Sequence, residues 1–180
     1  MKIITLFTAS ALLLAFATGA RADSSTGTVG VTLTLTNGCL INNNETGSGI
    51  NFGTLDFGTQ AATFGVLTRQ TNSFTVKCNT TNYTVKVTGS QNTSKPATTA
   101  GITGTAARYL VNTTDTTQGV AYSLFDSSAM SKEIENGTAL QPVSSADSTD
   151  TYALWGRIQG NSTLVAAGTY TDTVQISVDY

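Results

Sequence analysis

The chain has no histidine, only two cysteines and two prolines in 180 residues, and just 11% charged side chains. Without histidine there is no base for a Ser-His-Asp or Cys-His nucleophile and no imidazole ligand for a metal. Cys39 and Cys78 alone make no plausible zinc site, and without a C-x-x-C spacing they form no dithiol redox motif. Nine basic residues against eleven acidic ones give a formal charge of −2, with no basic patch of the kind that binds nucleic acid. Past the N-terminal segment, no stretch approaches the roughly 20 apolar residues of a membrane span.

The acids offer a carboxylate pair only in principle. Asp147 and Asp150 lie in a Ser/Thr-rich loop and Glu133 and Glu135 flank Ile134, so both pairs read as solvated loop charge. Asp56 and Asp172 sit within strand patterns, where a turn or ladder hydrogen bond is expected rather than catalysis. No D-x-D-x-D-G arrangement supports a calcium loop. Trp155, Tyr152 and Tyr109 read either as a sugar-stacking platform or as core aromatics, with the core the stronger expectation. Seven N-x-S/T sequons, at Asn44, Asn79, Asn82, Asn92, Asn112, Asn136 and Asn161, follow from the composition. No catalytic residue, metal site or cofactor is expected, and the chain reads as no enzyme.

What is there in abundance is threonine, 35 residues of it, with valine and tyrosine beside it. These residues favour strands, and no long 3.6-residue period accompanies them, so the chain reads as all-β. Met1-Lys2, the apolar run 3–17 and Ala20-Arg21-Ala22 fit a secretory signal over residues 1–22. Residues 23–180 are then one exported domain. Two cysteines behind such a signal read as one disulfide. Its loop of about 40 residues is worth on the order of 4 kcal/mol by chain entropy.

Strand patterns recur along the chain. In residues 26–36, Val29, Val31, Leu33 and Leu35 alternate with Thr and Gly, so one face of an extended segment is apolar. Residues 50–58 read as a strand bent at Gly53. Phe74–Cys78 and Tyr83–Val87 alternate on either side of Asn79–Asn82, which reads as a hairpin turn. Residues 88–106 read as a surface connection, 127–150 as polar and broken, and 119–125 and 152–158 each as a strand. The longest alternation closes the chain, with Tyr170, Val174, Ile176, Val178 and Tyr180 on one face. Strands of this length between Gly/Asn turns fit a β-sandwich.

These blocks resemble a known family. Thr26-Gly-x-Val-x-Val-x-Leu-x-Leu35 before Asn37-Gly-Cys39 is similar to the start of spore coat protein U domains, which include the pilins of Csu-type archaic chaperone–usher pili. Phe52-Gly-Thr-Leu-Asp-Phe-Gly58, Phe74–Cys78, Tyr152–Gly156, Gly168–Asp172 and the terminal Val174-x-Ile-x-Val-x-Tyr180 follow in the family's order. The resemblance implies an incomplete immunoglobulin-like sandwich, completed by donor-strand exchange. A periplasmic chaperone would fill the open groove, and at an outer-membrane usher the donor strand of another pilin subunit would replace it. The terminal strand would border the groove, with the Tyr180 carboxylate anchoring on chaperone basic residues. The product would be a head-to-tail pilus on the cell surface, supporting adhesion and biofilm formation.

Burying the four apolar side chains of 29–35 would contribute about 6–12 kcal/mol as an upper bound. Left exposed on an edge strand they would be an aggregation site. How much of 26–36 is donor and how much is the subunit's own first strand stays open at the level of sequence. A self-complete secreted adhesin or lectin and an outer-coat protein are the competing readings.

Overall fold

A computed structural model describes residues 24–45, 47–160 and 162–180. The expected signal over 1–22 lies outside the described residues. By contacts the chain divides into a unit ending at Thr34 and a unit Leu35–Tyr180. In the first, residues 24–34 carry no strand. Val29 and Val31 are each 89% exposed there and Leu33 is 81% exposed.

The second unit is all-β, with no helix among the described residues. Its strands are β1 (Cys39–Ile41), β2 (Asn44–Glu45), β3 (Leu67–Gln70), β4 (Phe74–Cys78), β5 (Thr84–Ser90), β6 (Thr98–Ala100) and β7 (Tyr109–Asn112). There follow β8 (Gln118–Ala121), β9 (Ser123–Phe125), β10 (Ser144–Ala146), β11 (Thr149–Tyr152), β12 (Trp155–Ile158), β13 (Tyr170–Thr171) and β14 (Val174–Asp179). They form four small sheets, ordered β10-β11-β4-β1-β2, β3-β12-β9, β13-β7-β8-β6 and β14-β5. Among the described residues only β6 and β8 pair in parallel.

All four sheets feed one apolar core. Phe74 and Val76 enter it from β4, Val85 and Val87 from β5, Leu124 from β9 and Val120 from β8. Period two decides who enters: Val85 and Val87 are buried while Thr84 and Thr88 on the other face are exposed. Phe74 stacks on Tyr152 across the β4–β11 pair, with ring centroids 5.5 Å apart, and meets Phe52 edge-on at 5.0 Å. One fully buried charge lies among these residues. Arg108 donates to the Ile134 carbonyl at 3.1 Å and to Asn136 Oδ1 at 2.6 Å, and burial lowers its pKa from the ordinary arginine value.

Several expectations are corrected. Asn79–Asn82 is no hairpin: β4 pairs with β1 and β11, so neither edge is left for β5, which crosses to pair with β14. Residues 50–58 form no strand. Gly53 stands at φ 115°, a conformation that favours glycine. Residues 119–125 are two strands in different sheets, divided at Tyr122. The connection 88–106 contains β6, whose Ala100 is fully buried. Within 127–150 lies the start of the β10–β11 hairpin, turned by Asp147 and Ser148 at φ 50° and 60°. Two adjacent residues at positive φ make the turn whose twist matches paired strands.

Candidate docking groove

The groove is built from β14 and a wall that is strandless apart from Ile41 of β1. β14 pairs with β5 through six register partners, with a bulge between Gln175 and Ile176. Lys86 clips its end to β5 through a 2.9 Å ion pair to Asp179, and that hydrogen bond lowers the Asp179 carboxyl pKa. The other edge of β5 is covered: Gly137 and Leu140 donate to the Val87 and Val85 carbonyls at 2.8 Å each. The other edge of β14 has no strand partner among the described residues. Instead it borders a cavity of about 530 Å³, walled opposite by Ile41, residues 47–50 and Phe52. Every residue from Val174 to Val178 lines that cavity. Successive side chains of a strand point to opposite faces, so it is the backbone edge of β14 that lies open. Such an edge presents about three N–H and three C=O groups in want of a partner.

A second cavity of about 370 Å³ continues past Leu55, Phe57, Leu110, Tyr122 and Asp172. The two share Ile50, Phe52, Val174 and Ile176 as lining. The far wall is held down at Gly156 of β12, where an added Cβ would stand 2.3 Å from Leu55 and 2.8 Å from Phe57. Asp56 caps the following turn, accepting from the Gly58 N–H at 2.7 Å.

The polar end of the groove is Asp172. It accepts from the Asn92 and Thr173 N–H groups at 3.0 and 2.8 Å and from the buried Tyr122 hydroxyl at 2.7 Å. Asp56 and Asp172 lie outside strands; each accepts a local backbone N–H, Asp56 from Gly58 and Asp172 from Thr173, and neither makes a ladder bond. Burial first, then the Asp172 charge and hydrogen bond, push the Tyr122 pKa well above the ordinary tyrosine value. A raised folded pKa means full stability below the unfolded value of about 10. That stability is lost as pH climbs past it, because the unfolded chain releases its proton first. Thermal melts should therefore fall steeply above about pH 10, and Tyr122→Phe should flatten that fall. An equally steep fall in the variant would remove Tyr122 from the explanation.

Of the five terminal-strand residues singled out in the sequence, Val174, Ile176, Val178 and Tyr180 line the groove. Tyr170 does not. It belongs to β13, paired with Asn112 of β7 in a different sheet, and its hydroxyl donates to the Ala166 carbonyl at 2.5 Å. The break at residues 172–173 separates the two strands, so the alternation on paper spans two sheets. Cys39 and Cys78 are bonded, as directly opposed partners of β1 and β4. Val29, Val31, Leu33 and Leu35 are all exposed, Leu35 at 79%.

The part of the groove wall over residues 50–57 belongs to the stretch 50–58 that the sequence suggests as a strand, and in the structure it packs as a strandless wall. Its apolar residues at 50, 52, 55 and 57, with the shift at Gly53, are the signal that marks it. The aromatic platform does not form: Tyr152 and Tyr109 are 4% and 5% exposed, which leaves only the half-buried Trp155 of β12. Glu133 and Asp150 are not merely solvated. Glu133 accepts from the Thr105 and Ala106 N–H groups at 2.7 and 3.3 Å, and Asp150 accepts from the Tyr83 hydroxyl. Among the described residues no three His, Cys, Asp or Glu side chains gather as metal ligands.

The Spore Coat Protein U domain family matches residues 25–177. The chain belongs to that family. A search of curated proteins finds no match. Among solved structures, this Spore Coat Protein U chain is similar to the crystal structure of the CsuC–CsuE chaperone–tip adhesion subunit pre-assembly complex from archaic chaperone–usher Csu pili of Acinetobacter baumannii. The similarity has 21% identity and a TM-score of 0.45, and it covers 82% of this chain and 40% of that one. The chain thus spans two-fifths of the length of its structural relative.

Proposed function

We propose that this Spore Coat Protein U chain is a structural subunit of a surface pilus, exported to the periplasm and assembled by a chaperone–usher pathway. The observation that carries this reading is a match within one chain. It has a trough, lined by Ile41, Ile50, Phe52, Val174, Ile176 and Val178 among polar neighbours, along a strand edge with no strand partner among the described residues, and it has an exposed strandless segment with apolar residues at every second position. Val29 to Leu35 spans about 20 Å when extended, the same as Val174 to Tyr180. A strand laid into the trough would satisfy the β14 edge by main-chain hydrogen bonds, while alternate side chains fill the cavity and set register.

A periplasmic chaperone supplies that strand first, the usher exchanges it, and residues 24–35 of the next subunit take its place. Contact of this kind is heterologous, with the arm of one copy in the groove of the next, so it propagates an open filament rather than a closed ring. The groove-bordering terminus, including Tyr180, is the natural contact for the chaperone. Deleting residues 24–35 keeps the groove and removes the arm. The truncated subunit is expected to copurify with its chaperone and to form no filaments from that complex. Filaments of the truncated subunit alone would defeat the proposal.

A further inference from the structure

The place where the apolar arm ends is marked by one side chain. Asn79 follows the disulfide residue Cys78, and its backbone N–H donates to the Gly38 carbonyl at 3.1 Å, extending the β1–β4 ladder by one step. Its side-chain amide adds two further bonds to the same stretch. Oδ1 accepts from the Gly38 N–H at 2.8 Å, and Nδ2 donates to the Thr36 carbonyl at 2.9 Å. An amide carries an acceptor and donors at fixed spacing, and here they meet two backbone groups two residues apart. Thr36-Asn37-Gly38 is thus held at three points on the end of β4, beside the Cys39–Cys78 disulfide. Leu35, one residue earlier, is 79% exposed, and residues 24–38 carry no strand.

We propose that Asn79 is the positioning residue that fixes the root of the arm. It assigns Thr36–Gly38 to the subunit's own body and leaves residues 24–35, with all four apolar side chains, for the neighbour. It also makes the joint between subunits stiff. Three residues separate Leu35 from Cys39, which lie about 13 Å apart when the chain is extended. Unheld, a stretch ending in glycine bends freely. Held by Asn79, it continues the ladder. This inference rests on the donor-strand reading above.

The test polymerises wild type, Asn79→Ala and Asn79→Asp from their chaperone complexes. Filament persistence length is read by electron microscopy, and Gly38 amide exchange is read in the chaperone-bound subunit. Asn79→Ala loses both side-chain bonds, whereas Asn79→Asp keeps the acceptor and loses the donor. The Gly38 amide is expected to exchange about tenfold faster in Asn79→Ala and near the wild-type rate in Asn79→Asp. Asn79→Ala filaments still form, with a persistence length shorter by about twofold or more, and Asn79→Asp filaments fall between. Asn79→Ala filaments as stiff as wild type would overturn the inference. So would a wild-type Gly38 amide exchanging at the rate of an unstructured peptide, a result that needs no variant to fold. If wild type itself forms no filaments, the polymer reading fails and this inference falls with it. Unchanged stiffness in filaments that do form sinks this inference alone.

Discussion

Val31→Asp combined with Leu33→Asp leaves the subunit folded and stops it polymerising. Both halves of this result follow from exposure. Val31 and Leu33 are 89% and 81% exposed in the subunit, so their replacement removes no packing from its core. Surface changes away from core, caps and networks cost within about 0.5 kcal/mol. In the proposed docked state the same two side chains would enter the trough between β14 and the 47–57 wall, against Ile50, Phe52 and Ile176. Each buried Val or Leu is worth about 1.5–3 kcal/mol, so the pair contributes roughly 3–6 kcal/mol, or about two to four orders of magnitude in strand exchange. A carboxylate forced into that trough adds its own desolvation cost. The measurement is filament yield from chaperone complexes of wild type and variant, with circular dichroism to confirm the fold. Filaments at wild-type yield would mean these side chains do not enter a neighbour.

Removing the Cys39–Cys78 disulfide has the largest expected effect on the subunit itself. β1 is only three residues long, and its register against β4 is pinned where Cys39 faces Cys78. Ile41, two residues on, is both a core residue and part of the groove wall. With the cysteines 39 positions apart in sequence, chain entropy puts the cross-link at about 4 kcal/mol. Domains of this size have only about 5–15 kcal/mol of stability in total. In the chaperone-bound subunit, Cys39→Ser with Cys78→Ser should lower the thermal midpoint by about 8–16 °C. Chaperone capture should weaken as β1 and the groove wall loosen together. A midpoint within two or three degrees of wild type (roughly the effect of 1 kcal/mol) would show that β1 holds without its cross-link.

The ends of the chain were legible and the middle much less so. Val174, Ile176 and Val178 alternate cleanly because one face of β14 is half-buried while Gln175 and Asp179 on the other are exposed, and period two reports that directly. The arm was legible for the same reason, as an alternation with no core of its own. Tyr170 was misplaced because alternation is blind to the break at Asp172, whose side chain turns the chain by binding the Asn92 and Thr173 amides. The Asn79–Asn82 turn was misread because a turn composition does not say which strands it joins. β4 already had two partners, a fact of topology rather than of local sequence. The 47–57 wall escaped because its side chains pack without ladder hydrogen bonds, leaving no strict period. The Asn79 clamp joins residues 41 and 43 positions apart, beyond the reach of any local pattern. In the sequence Asn79 reads only as part of a sequon and of a turn.

The most direct measurement is a helical reconstruction of the assembled filament at side-chain resolution. Residues 29–35 of one subunit should lie as a strand along β14 of the next, with Val29, Val31, Leu33 and Leu35 facing the Ile50–Phe52 wall. A groove left empty, or filled by the subunit's own residues 29–35, would contradict head-to-tail docking.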